Sequence, residues 1–276
     1  MNPAGRVNLG TLSSRIIVAA DYSQLDPAVA LANNVGQEVA GIKVGSELAE
    51  AVGAPQAVEG IVGAGSWVFR DLKGFDIKKT NEKTVAAAVR LGVVMINVHA
   101  LNGRGKMADA HASVEASASR QGIATPLLLA VTILTDQDWD DLMGLGFFAN
   151  RREFPITFGE EDIRDAKGMM VKELVVHLAT LAKEAGLEGV IASAQEAPLI
   201  REACGPDFII ATPAIRPADA PPDDQKRTVT PAEAIELGAD LLVIGRPITE
   251  AEKQGKTPLE VVRQFNADIA AALAAV

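Results

Sequence analysis

Ser66 to Thr80 reads SWVFRDLKGFDIKKT. The apolar run Trp67-Val68-Phe69 leads into Asp71-Leu72-Lys73, and Asp76 stands three residues beyond Lys73. In an extended strand successive side chains alternate between faces, so Asp71 and Lys73 point one way while Arg70 and Leu72 point the other. Gly74 lets the chain turn out of the strand before Asp76. Two readings stand side by side. The charges form a solvated cluster at a strand terminus, or a carboxylate, an ammonium and a second carboxylate are gathered there for chemistry. The Ala-rich segment that follows, Asn81 to Leu91, reads as a helix, so the stretch opens one strand–loop–helix unit.

The same unit recurs along the whole chain. Strands are predicted at Ile16 to Ala20, Val39 to Val44, Trp67 to Leu72, Val93 to Val98, Leu127 to Ile133, Gly189 to Ala192, Phe208 to Ala211 and Leu241 to Ile244. Helices are predicted at Asp26 to Asn34, Ser46 to Val62, Asn81 to Leu91, Met107 to Arg120, Val171 to Ala185, Glu196 to Glu202, Pro231 to Leu237 and Pro258 to Ala275. Strand–helix alternation of this length predicts a single-domain α/β fold, the (β/α)8 TIM barrel of about 250 residues, with an open doubly wound sheet as the competing architecture. A barrel carries its functional groups at the C-terminal strand ends. Polar groups stand there in every unit: Asp21, Lys43, Asp71 with Lys73, His99, Thr135, Ser193, Thr212 to Arg216, and Gly245-Arg246.

Two loops are long. Asp136 to Met170, the extended loop after the fifth strand, holds at most a short helix around Trp139 to Met143, and either covers part of the mouth or embellishes the surface. Thr212 to Thr228 carries four prolines together with Arg216, Gln225 and Lys226. It reads as a loop that closes over an anion or as a stiff surface loop.

Composition sets the function classes aside. The formal net charge of −10 argues against nucleic-acid binding, which needs a basic stripe. No apolar run reaches the roughly 18 residues of a membrane span, and MNPAGRVNLGTLSSR lacks the apolar core of a signal peptide. With Cys204 as the one cysteine, no intrachain disulfide forms, and a cytoplasmic protein is expected. His99, His111 and His177 are widely separated, so no metal is expected, and the absence of G-x-G-x-x-G and G-x-x-x-x-G-K-[ST] leaves no cofactor motif.

Barrels often bind phosphate beside the seventh and eighth strands, and Gly245 with Arg246, next to the Arg216 loop, predicts a phosphorylated small-molecule ligand. Lys43, Asp71, Lys73 and Asp76 read as an alternating network of ammonium and carboxylate groups. Such a network suits proton donation to a carbanion, or is a structural ring of salt bridges.

The chain resembles the orotidine 5′-monophosphate (OMP) decarboxylase family, most closely its longer bacterial form, from about Arg15 to Ile248. The motifs are AADYS at Ala19 to Ser23, IKVGSE at Ile42 to Glu47, FRDLKGFDIKKT at Phe69 to Thr80, NVHA at Asn97 to Ala100, LLLAVTILT at Leu127 to Thr135, GVIASAQEA at Gly189 to Ala197, TPAIRP at Thr212 to Pro217, DQKRTVTPAEAI at Asp224 to Ile235 and VIGRPIT at Val243 to Thr249. The resemblance implies decarboxylation of OMP to UMP without a cofactor. It implies that Lys73 protonates C6 of the pyrimidine, Asp71 lies against the departing carboxylate, Lys43 completes the charge network, and Asp21 holds the ribose. It further implies a homodimer with shared sites, in which Asp76, Ile77 and Thr80 serve the partner. Thr135 then contacts the base, while Arg216, Gln225, Gly245 and Arg246 grip the phosphate.

Some residues depart from the family pattern: Gly74-Phe75 in place of an aromatic residue and His, Lys78-Lys79 in place of Pro-Asn, Ala214 in place of Gly, and an insertion around Arg151 to Phe158. The alternatives are a decarboxylase or lyase of the same superfamily acting on another phosphorylated substrate, and a non-catalytic paralogue that binds a phosphorylated ligand.

Overall fold

The computed structural model describes residues 14–150, 159–217 and 228–275. Eight parallel strands close into a barrel in sequence order: β1 (Ile16–Ala19), β2 (Gly41–Val44), β3 (Val68–Gly74), β4 (Met95–His99), β5 (Leu127–Val131), β6 (Gly189–Ile191), β7 (Ile209–Thr212) and β8 (Leu241–Ile244). The return of β8 onto β1, with Ile17 opposite Val243, excludes the open doubly wound sheet. The helices around the barrel are α1 (Leu25–Val35), α2 (Ser46–Val52), α3 (Ala54–Gly63), α4 (Lys78–Arg90), α5 (Gly103–Gln121), α6 (Trp139–Gly144), α7 (Glu160–Glu184), α8 (Ala197–Cys204), α9 (Pro231–Glu236), α10 (Arg246–Thr249) and α11 (Pro258–Ala275).

Strand alternation divides the apolar residues into two cores. Ile17, Ala19, Phe69, Met95, Leu129, Val131 and Val243 fill the barrel interior. Ile16, Val18, Ile42, Val68, Ile96, Val98 and Leu128 point outward and pack under the helices. Burial of both strand faces explains why the strands read as continuous Val/Ile/Leu runs. It also places Lys43, one residue past outward-facing Ile42, and Asp71, two residues past inward-facing Phe69, on the interior side at the top.

The helix boundaries differ most from expectation in two places. The segment Ser46 to Val62 is two helices, because Gly53 takes φ +88 and breaks it between α2 and α3. The long segment after β5 is less irregular than its sequence suggests, since α7 begins at Glu160 rather than Val171. Glu160, Glu161 and Asp162 favour the positive end of that helix, and the Asp162 carboxylate accepts the Gly159 N–H at 2.9 Å. Its first turns are polar and bury little before Met170, which is why no apolar stripe marks them. The short helix α6 is tied to α7 by Lys167, which pairs with Asp140 at 3.0 Å and lies 4.3 Å above the Trp139 ring. Among the described residues no helix is long and apolar enough to cross a membrane.

Candidate active site

At the C-terminal face of the barrel lies a cavity of about 300 Å³. Asp21, Lys43, Asp71 and Lys73 line one side of it, Thr135 and Asp136 follow β5, and Arg216, Gly245 and Arg246 stand beyond β7 and β8. Residues read separately from strand ends therefore meet around one space.

The charged wall is continuous. The Lys43 ammonium lies 2.9 Å from Asp21 Oδ1 and 3.3 Å from Asp71 Oδ2. Lys73 Nζ donates to both oxygens of Asp71, at 2.9 and 2.8 Å. Gly45 makes room for this: a Cβ there would fall 2.8 Å from Lys43 Nζ and 2.9 Å from Asp21 Oδ1. Burial alone would raise the pKa of Asp71, but Lys43, Lys73 and the hydrogen bonds from Lys73 and Asn97 outweigh it and hold Asp71 below the ordinary 3.8. Burial likewise pulls Lys43 down, and Asp71 with Asp21 outweighs it, so its pKa rises above 10.5.

The signs are opposite in consequence. Asp71 contributes stability that is present above the unfolded value near 3.8 and lost as pH falls through its depressed folded value. Lys43 contributes stability that is present below 10.5 and lost as pH rises through its raised folded value. Between those limits both groups are charged.

The stretch Asp71 to Gly74 is not a regular strand. Arg70 pairs with Ile96 and Gly74 with Val98, so β3 spends four steps where β4 spends two, and Lys73 takes φ +47. A left-handed lysine is held at about 1–2 kcal/mol of backbone strain, of the kind that collects at functional sites. Its N–H, out of the ladder, donates to Asn97 Oδ1 at 2.6 Å, and Asn97 Nδ2 donates to Asp71 Oδ1 at 2.7 Å. On the outer side Arg70 Nη1 donates to the carbonyls of Val44 and Asp71, both at 3.0 Å, and so ties the tops of β2 and β3 together.

Three members of the expected network, Lys43, Asp71 and Lys73, meet within one chain. Within one chain the network runs Asp21–Lys43–Asp71–Lys73; the Asp76 carboxylate accepts the exposed Ile77 N–H at 2.6 Å and does not line its own chain's cavity. Ile77 and Thr80 are also outside it, on the exposed start of α4. Gln225 and the rest of 218–227 lie outside the described residues, as does the 151–158 insertion. The stems of the Thr212 to Thr228 loop are joined by the Ile215–Val229 bridge and by Arg216 N–H donating to the Val229 carbonyl at 3.0 Å.

The departures from the family pattern acquire physical reasons. A Cβ at Gly74 would stand 2.7 Å from the Asn81 Oδ1, and the Gly74 carbonyl accepts Asn102 Nδ2 at 2.7 Å. Phe75 is 62% exposed, with its ring 6.0 Å from that of His99, whose pKa burial and Lys73 push below 6.5. Lys78 opens α4, where a cation is disfavoured by the helix dipole, and Asp109 on α5 offsets this at 2.7 Å. Lys79 pairs with Glu82 at 3.1 Å.

Ala214 stands at φ +64. The left-handed cost of about 1–2 kcal/mol, less the roughly 0.4–1 kcal/mol by which glycine favours the unfolded chain, leaves Ala214→Gly more stable by about 0.5–1 kcal/mol. Urea unfolding measures that difference.

Fold and site together define a (β/α)8-barrel enzyme working at its C-terminal face on a small molecule. More narrowly, the chain belongs to the orotidine 5′-phosphate decarboxylase / HUMPS family, which residues 14–151 and 157–261 match. It is 41% identical over 251 residues to the orotidine 5′-phosphate decarboxylase of Syntrophomonas wolfei subsp. wolfei, covering 91% of this chain and 97% of that one. It is 44% identical over 238 residues to the enzyme of that name from Trichlorobacter lovleyi, covering 86% and 89%. The crystal structure of orotidine 5′-phosphate decarboxylase from Lactobacillus acidophilus aligns with a TM-score of 0.71 at 29% identity, over 93% of this chain and 99% of that one.

Proposed function

We propose that the chain decarboxylates OMP to UMP, with Lys73 as proton donor. The observation that carries this reading is the Asp21–Lys43–Asp71–Lys73 relay lining a single cavity together with Gly245 and Arg246. The phosphate sits with Arg216, Gly245 and Arg246, joined by Gln225. The ribose hydroxyls meet Asp21 and Lys43, the base meets Thr135, and the C6 carboxylate lies towards Asp71. The C6–carboxylate bond breaks with its electron pair left on C6, and CO2 departs. One N–H of the Lys73 ammonium then gives its proton to C6, leaving a neutral amine that solvent recharges. Asp71 accepts two hydrogen bonds from the Lys73 ammonium, which fixes where its protons point, and offers the substrate carboxylate a negative neighbour that CO2 release relieves. These steps use groups of the protein and substrate alone.

Asp76 enters this account through a homodimer. Its carboxylate is exposed beside Phe75 and Ile77, which are 62% and 67% exposed, and large apolar side chains so exposed on either side of a carboxylate favour a covered face. In the dimer Asp76, Ile77 and Thr80 complete the partner's site. With Cys204 buried and reduced, a cytoplasmic enzyme is in keeping with the chemistry.

Loss of orotate absorbance on incubation with OMP tests the activity. The phosphate is remote from C6, so its binding energy serves closure of the Thr212 to Thr228 loop and expulsion of water. Arg246→Ala is therefore expected to lower kcat/KM on OMP by about 10²-fold or more, the loss of a charged hydrogen-bonded contact together with impaired closure. An unchanged kcat/KM would remove Arg246 from the phosphate site.

A further inference from the structure

We infer that Asn97 is a positioning residue, whose amide fixes both the Asp71 carboxylate and the backbone from which Lys73 extends. The inference rests on the decarboxylase reading for its kinetic consequence but not for its geometry.

Asn97 is fully buried, on the inward face of β4 two residues past Met95. It touches the reacting groups from behind. Its Oδ1 accepts the Lys73 N–H at 2.6 Å and its Nδ2 donates to Asp71 Oδ1 at 2.7 Å. A backbone N–H only donates and an ionised carboxylate only accepts, so one orientation of the amide serves both. No other side-chain type of that size offers an acceptor and a donor side by side without charge.

The need for it comes from the irregular strand. Between the Arg70–Ile96 and Gly74–Val98 pairs, Asp71, Leu72 and Lys73 have no partner residue on β4, and the Asn97 side chain takes the place of a ladder acceptor for Lys73. That contact holds φ of Lys73 at +47, and from this backbone Nζ reaches both oxygens of Asp71. The second amide contact fixes the carboxylate that Lys43 and Lys73 share. The charged and titratable groups around Asp71 are Lys43 from β2, with Asp21 beyond it, Arg70 and Lys73 from β3 itself, and His99 from β4, so Asn97 is the neutral member of a charged ring.

Two variants separate positioning from bulk packing. Asn97→Leu removes both contacts at similar volume. Asn97→Asp is isosteric, keeps the acceptor for Lys73 N–H, and turns the donor to Asp71 into a like charge, so it serves also if the leucine variant fails to fold. Asn97→Leu is expected to lower kcat on OMP by about 10- to 100-fold, with UMP affinity held within about threefold because the product lacks the carboxylate. Asn97→Asp is expected to move the acid limb of the kcat/KM profile to higher pH, rates falling where the wild type still works.

Carbon-13 NMR titration of the Asp71 carboxyl in the ligand-free protein, assigned with Asp71→Asn, reads the same effect without turnover: it titrates at higher pH in both Asn97 variants. An Asp71 titration unchanged from wild type, or kcat and UMP affinity falling together, would overturn the positioning role. Failure of the wild type to turn over OMP would count against the decarboxylase reading alone, and the titration would still decide the role of Asn97.

Discussion

Lys73→Met is expected to lower kcat on OMP by about 10³- to 10⁴-fold or more, the range that a general acid and its electrostatic stabilisation supply. Methionine has nearly the length of lysine and no proton to give. The rest of the relay stays in place, because Asp71 keeps Lys43 at 3.3 Å and the Asn97 amide at 2.7 Å. Lys73→Arg does not rescue, since a guanidinium holds its protons too tightly to donate one. Stability separates from activity at this position. Lys73→Gly and Lys73→Ala are both expected to be inactive, yet the glycine variant, which releases the φ +47 strain, is expected to be more stable by about 0.5–1 kcal/mol in urea unfolding. Equal stabilities would mean that the backbone relaxes when the side chain is gone.

Mixing two inactive proteins is expected to restore activity. In the proposed dimer each site takes Lys73 from one subunit and Asp76 from the other. A hybrid of Lys73→Ala and Asp76→Ala subunits then carries one site with both defects and one with none. Random reassortment makes half the dimers hybrids, each with one working site of two, so about a quarter of wild-type activity returns from two preparations that each show almost none. The placement of Asp76 outside its own chain's cavity, on an exposed and largely apolar segment, is what makes this expectation specific. If all working groups came from one chain, the mixture would stay as inactive as its components.

The barrel was legible because both strand faces are buried, so each strand announces itself as a short apolar run, and the same parity puts Lys43 and Asp71 inward. The course of Asp71 to Gly74 was not. Simple alternation puts Lys73 beside Asp71, and they are indeed paired, but through a two-residue irregularity and a left-handed lysine that no periodicity encodes. Spacing puts Asp76 near Lys73 along the chain, yet it stands outside its own chain's cavity, and Lys43 gains a second carboxylate, Asp21, from the neighbouring strand. Asn97 was visible only as a letter in NVHA. Its signal was a polar residue at inward parity in an apolar strand, two positions past Met95. The early start of α7 was hidden because capping and i,i+3 charge pairs, such as Arg164 with Glu161 at 3.2 Å, sustain a turn that buries almost nothing.

In the proposed reaction C6 of the pyrimidine loses CO2 and takes its proton from Lys73. Turnover of OMP in D2O, followed by orotate absorbance and by the mass and proton spectrum of the product, tests it most directly. The ammonium exchanges its protons with solvent before reaction. The expected result is UMP carrying one deuterium, at C6, formed by the wild type and not detectably by Lys73→Met. Failure of the wild type to consume OMP, or consumption by Lys73→Met at the wild-type rate, would rule out Lys73 as the proton donor in an OMP decarboxylation.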